Sequence, residues 1–411
     1  MKKNILVFFS VLLFCVSVIP KSATTVVIRG GEIHIMNGKI IKEGIILIED
    51  GRITEIGETV SSPANAEVIQ ADGFILYPGF VAPSCFLASK DIKNFESFTP
   101  DASALDRFDV YGDYMQYIAG GVTSAFIRNS KDRLISGRGA IVKFAGKGQK
   151  SKVIKKEAAL NINLGKNAVL PPMTDIFPAP VSPENPLLPS LKQYPSSVLG
   201  AYWVLSELFR NEPYSGDLAK YMDNVSISLR KALEEKLQVV IFSQKAADIY
   251  QSIELAKNFG VPLIIQGGAE AFRLVEILNK NSVSVIVETF VNPNRLSHPQ
   301  IPLNTYGIQN CDNNIPTLIK EGIPVAIAPE SETSMSELLW IACYYQKYGI
   351  SIEELIKTIT INPARMFGVE DKIGSLEIGK DADILFFKRE PGRPLLQLKK
   401  VMIEGRVVYE Q

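Results

Sequence analysis

The middle of the chain constrains the fold most, because short apolar runs recur there at 79–84, 121–127, 139–144, 238–243, 261–266, 283–288 and 323–328. Helical patterns stand between several of them: "AADIYQSIELAKNFG", "AEAFRLVEILNKN" and "IPTLIKEG" each end near a glycine or asparagine stop. Strands alternating with helices predict a parallel sheet with crossover connections. Seven such runs, and an eighth expected between 150 and 200, suit a closed (β/α)8 barrel better than an open sheet. The eight prolines of 167–200 predict a long irregular loop over a barrel face.

The two ends of the chain follow another pattern. Residues 25–77 alternate apolar and polar positions around Asp50-Gly51, and "DADILFFKR" and "VMIEGRVVYE" repeat that pattern around Glu404-Gly405. The predicted fold class is therefore α/β, a TIM-like (β/α)8 barrel at 78–371 plus a small composite β-sandwich built from 24–77 and 372–411. A chain that is 46% hydrophobic can bury both cores.

Lys2 and Lys3 precede an apolar stretch, Ile5 to Ile19, with the order of a secretory signal and too little length for a membrane span. Residues 1–23 are read as that signal, with cleavage near Ala23, and the protein as exported, periplasmic or extracellular. No membrane span is expected once the signal is removed. Basic and acidic residues balance at 44 each, and the most basic window, "KGQKSKVIKK", lacks aromatic residues. A nucleic-acid partner is not expected. The irregular spacing of Cys85, Cys311 and Cys343 indicates no disulfide framework. His34 and His298 are the only histidines, so a multi-histidine metal site is excluded by counting.

Several motifs occur in order over nearly the whole chain: "ADGFILYPGF", "AGGVTSAFI", "LISGRGAIVKFAGK", "QKAADIYQSIELAKNFGVPLIIQGGAEAF", "GIPVAIAPES" and "ITINPARMFGVEDKIGSLEIGKDADILFF". In these the chain resembles the amidohydrolase superfamily, in particular its exported branch related to imidazolonepropionase and prolidase-type enzymes. The resemblance implies a barrel whose strand ends hold one or two divalent metals, which activate water against an amide or cyclic amide.

Carried over position by position, the resemblance implies a departure from that chemistry. The family's first-strand Asp-Ala-His-x-His falls on Ala82-Pro83-Ser84-Cys85-Phe86, so Ser84 and Phe86 stand at the two histidine positions. The fifth-strand histidine falls on Phe242 or Gln244, the sixth-strand histidine on Gln266, and the eighth-strand aspartate on Glu330. Serine and glutamine are poor zinc ligands and phenylalanine is none, so no cofactor is expected in a pocket that stays polar. Arg138 and His298 are candidate lining residues. Cys85 as a nucleophile with His298 as its base is the weaker reading, because alternation turns Cys85 toward the helical layer when Ser84 and Phe86 face the lumen. His34 reads as an ordinary strand residue.

The expected function is a catalytically silent, amidohydrolase-like protein that binds a small molecule or peptide, or that forms a homo-oligomer or pairs with an active homologue. The alternative is a working hydrolase of carbon-nitrogen bonds built around Glu330 or around residues from a partner chain.

Overall fold

The computed structural model describes residues 25–87, 98–146, 152–164, 198–210, 237–289, 313–329, 331–392 and 397–411, together with isolated residues between these spans. Residues 1–24, most of the proline-rich stretch, Glu330, His298 and Cys311 lie outside them.

The N-terminal strands are β1 (Thr25–His34), β2 (Ile40–Glu49), β3 (Arg52–Gly57), β4 (Glu67–Gln70) and β5 (Ile75–Pro78). Eight further strands follow: β6 (Phe80–Cys85), β7 (Val122–Ile127), β8 (Ile135–Lys143), β9 (Val153–Asn163), β10 (Gln238–Ser243), β11 (Leu263–Gly267), β12 (Ser284–Thr289) and β13 (Val325–Pro329). The chain closes with β14 (Ile384–Phe387), β15 (Leu398–Ile403) and β16 (Arg406–Glu410).

Both ends of the chain enter one hydrogen-bonded sheet of order β16-β15-β14-β5-β1-β2-β3, with β4 also pairing β1. The join is the antiparallel pair β5–β14, which sets Ile75 opposite Phe387 and Pro78 opposite Ile384. Asp50 and Gly51 turn β2 into β3 with positive φ at both residues, and Glu404 and Gly405 do the same between β15 and β16. Two consecutive positive φ values match the twist of a tight hairpin.

Strands β6 to β13 form the second sheet in sequence order, and β13 packs beside β6 so that the ring nearly closes. The eighth strand expected between 150 and 200 is β9. One feature departs from a regular (β/α)8 barrel: β8 runs antiparallel to both β7 and β9, while the other adjacent pairs are parallel. The cause is the connection at 128–134, which is too short for a crossover helix and so forces the chain to reverse.

Alternation sorts the barrel's side chains into two sets. Val81, Phe126, Val240, Ile264, Ile286 and Ala326 share one buried cluster with Phe367, whose ring lies 4.1 Å from that of Phe126. These residues fill the interior as a packed core. Cys85, Ile127, Ile241, Ile265 and Val287 belong to the outer cluster, where Ile249 and Ile253 of the helix Ala246–Phe259 meet them. That helix buries Ile249, Ser252, Ile253 and Ala256 on one face and stops at Gly260 in the left-handed conformation.

A buried ammonium lies at the seam between the two sheets. Lys143, at the end of β8, is fully buried and ion-paired to Asp381 (2.7 Å), Asp383 (3.0 Å) and Glu404 (3.6 Å). All three carboxylates come from the C-terminal segment, so this lysine ties the barrel to the terminal sheet.

Candidate functional site at the barrel mouth

Where the parallel strands end, the interior changes from apolar to polar. Two residues beyond Phe126, Ile264 and Ile286 on the same faces stand Arg128, Gln266 and Glu288, all buried. β9 contributes Asn161 and Asn163, β10 contributes Phe242, and β6 contributes Ser84. Catalytic and binding residues of (β/α)8 barrels occupy this end.

These side chains form one hydrogen-bonded network. The Gln266 amide oxygen accepts from Arg128 Nη1, while its amide nitrogen donates to Ser84 Oγ (2.7 Å) and to Glu288 Oε1 (2.6 Å). Only this amide orientation serves a guanidinium on one side and a carboxylate on the other. Arg128 Nη2 donates to Asn163 Oδ1 (2.5 Å), and Asn163 Nδ2 donates in turn to the Arg133 carbonyl (2.7 Å). Asn163 thus holds the connection from which Arg128 and Lys131 project.

Lys131 supplies a second cation. Its ammonium donates to both oxygens of Glu288, at 2.8 and 2.6 Å, and lies 4.8 Å from the Phe86 ring centroid and 4.5 Å from that of Phe242. Arg128 also stands over Phe86, at 5.3 Å. The described cluster therefore contains two cations and one carboxylate.

The structure brings Ser84, Phe86, Phe242 and Gln266 together in this cluster. Gln244 lies just beyond β10, where its side-chain oxygen accepts from the Ala269 N–H (3.1 Å). Gly267 makes room for it with φ +96°, because a Cβ there would stand 2.9 Å from the Gln244 amide carbon. Arg138 does not join the cluster: its guanidinium faces Glu157 (2.8 Å) and Glu235 (3.8 Å). Alternation explains this, since Arg138 stands opposite Leu160 on the face of β8 that carries Ala140 and Val142 into the outer cluster. Glu330 and His298 lie outside the described residues.

Cys85 is buried in the outer cluster, and burial pushes its thiol well above the ordinary range. A thiol so placed is a packing residue, not a poised nucleophile. His34 lies in β1 beside Glu32 (2.8 Å) and stacks on Tyr77 (4.4 Å).

Arg128, Lys131, Asn163 and Glu288 carry no motif and were not singled out by the sequence patterns. Their common signal is position: each lies at or just beyond the C-terminal end of a barrel strand. Among the described residues, no group of three or more histidine, cysteine, aspartate or glutamate side chains is placed to hold a metal.

Comparison with known proteins agrees with this architecture. Residues 242–408 match the Amidohydrolase family. The imidazolonepropionase of Thermoanaerobacter pseudethanolicus is 24% identical over 377 residues, which cover 84% of each chain. That of Picrophilus torridus is 23% identical, over 85% of this chain and 86% of its own. The crystal structure of an amidohydrolase from Thermotoga maritima superposes with a TM-score of 0.76 at 24% identity, covering 94% of this chain and all of that one. With the barrel, the interior polar layer at its mouth and these matches along nearly its whole length, the chain is similar in fold and sequence to proteins of the amidohydrolase superfamily.

Proposed function

We propose that this protein is an exported amidohydrolase-fold protein without metal-dependent hydrolysis, which binds a small molecule or peptide at its barrel mouth or pairs with an active homologous subunit. The observation that carries this reading is the donor set. At the positions where the resemblance places metal ligands stand a hydroxyl, a phenyl ring and an amide, in Ser84, Phe86 and Gln266. Gln266 already bridges Arg128, Ser84 and Glu288, and Glu288 already faces an ammonium.

These residues do not fit a divalent ion. Two side-chain cations within the cluster oppose a third positive charge, and neutral hydroxyl and amide oxygens are weak ligands for zinc. Without a metal, a hydrolase needs another way to activate water, such as a general base within hydrogen-bond reach of it. Glu288 is engaged by Lys131 and Gln266. The lysine pair and apolar stretch at the N-terminus support export.

A panel of dipeptides and cyclic amides tests this reading on the chain purified free of any other subunit, with and without added zinc or manganese. The expected result is no turnover above the buffer rate. Turnover that Glu330→Gln abolishes would overturn it in favour of a hydrolase built around Glu330.

A further inference from the structure

We propose that Phe86, Phe242 and Glu288 form an ammonium-binding cage, which the chain fills with its own Lys131 as a tethered occupant. The cage walls come from three separate places: the end of β6, β10 and the end of β12. The occupant comes from a fourth, the connection after β7. Two aromatic faces within 5 Å of one nitrogen, with both oxygens of a carboxylate on it, make up the chemistry that recognises organic ammonium groups.

The occupant is suited to removal. Lysine carries its charge on a flexible four-carbon stem and has no planar fork to lock it in place. The Lys131 side chain retains 11% exposure against 2% for Glu288, so the cage opens on the lysine's side. Phe86, half-buried, forms the wall there. The Asp132 N–H donates to Ser130 Oγ (3.1 Å), which itself donates to Asp132 Oδ2 (2.6 Å), so the turn is held by contacts that do not involve the Lys131 side chain.

The ligand class is therefore a small molecule or peptide bearing a primary or methylated ammonium, which must displace Lys131 to bind. A tethered competitor acts at high effective concentration and weakens the apparent affinity of a free one. The inference deepens the binding reading above and depends on it for the site being a binding site, but its test uses neither turnover nor metal content.

Calorimetric titration of the full chain and of Lys131→Ala with methylammonium and tetramethylammonium chloride, against sodium chloride at equal ionic strength, tests the cage. Lys131→Ala should bind at least one probe about tenfold or more tightly than the unaltered chain. Adding Glu288→Gln or Phe242→Leu should remove that gain. Equal affinity in the two chains, or no saturable binding to Lys131→Ala, would overturn the proposal.

A second measurement avoids the variants. Acylation of Lys131 in the unaltered chain, followed by mass spectrometry, should rise with tetramethylammonium concentration as the ammonium leaves the cage. Labelling that does not change would overturn the proposal as well.

Discussion

Replacing Arg128 with methionine should destabilise the protein by about 2–4 kcal/mol, because two buried acceptors each lose a charged donor. Arg128 is the largest fully buried side chain of the described residues. Methionine fills part of its volume but donates no hydrogen bond. The Gln266 and Asn163 oxygens that accept from the guanidinium would then be buried without those donors. The loss should exceed that of an ordinary core truncation of similar size, because an apolar cavity and unsatisfied acceptors add. Urea unfolding monitored by fluorescence reads it directly. A loss below about 1 kcal/mol would show that the network does not organise the mouth.

Replacing Lys143 with methionine should cost a similar amount, about 3–5 kcal/mol, at the other face of the barrel. It removes the buried ammonium facing Asp381, Asp383 and Glu404 and leaves like charges together. Burial pulls the Lys143 ammonium down, but Asp383, Asp381 and Glu404 outweigh it and hold the group above the ordinary lysine range. Asp383 is pushed up by burial; Lys143 opposes that shift and Asp381 adds to it.

Both groups are raised in the folded state, so each contributes stability that is full below its unfolded pKa and is lost as pH rises through its folded one. For Lys143 that loss begins above about pH 10, and for Asp383 above about pH 4. Without the pull of Lys143, Asp383 rises further and takes up a proton more readily. The cost of Lys143→Met should therefore be larger at about pH 8 than at about pH 5. Unfolding curves for both chains at the two values check the sign, and a pH-independent cost would contradict it.

The legible part of the fold is the part written in buried runs. β6, β7 and β10 to β13 read as apolar segments because both their faces are covered, by the packed interior and by the helices. Strand direction is not written that way. It depends on the connection, and the short segment between Ile127 and Ile135 was the available sign that β8 reverses. The hairpins at Asp50-Gly51 and Glu404-Gly405 were legible because two successive positive φ angles limit the residues that a turn accepts.

The site divides in the same manner. Ser84, Phe86, Phe242 and Gln266 could be found because a resemblance supplies their positions, and the structure gathers them at one mouth. Arg128, Lys131, Asn163 and Glu288 were missed because a charge-stabilised network has no fixed spacing, and its members are joined by the closing of the barrel. Arg138 misled because it sits in a glycine-rich stretch near the mouth, on the face of β8 that turns to the outer layer. Following each inward face two residues past the core layer finds Arg128, Gln266 and Glu288 together.

The claim at the centre of this account is that protein cations organise the barrel mouth in place of a bound metal. Elemental analysis of protein purified without chelator, and again after incubation with zinc and manganese followed by desalting, tests it most directly. The account predicts zinc, manganese and iron far below one equivalent per chain in both samples; a stoichiometric content of any of them would contradict it.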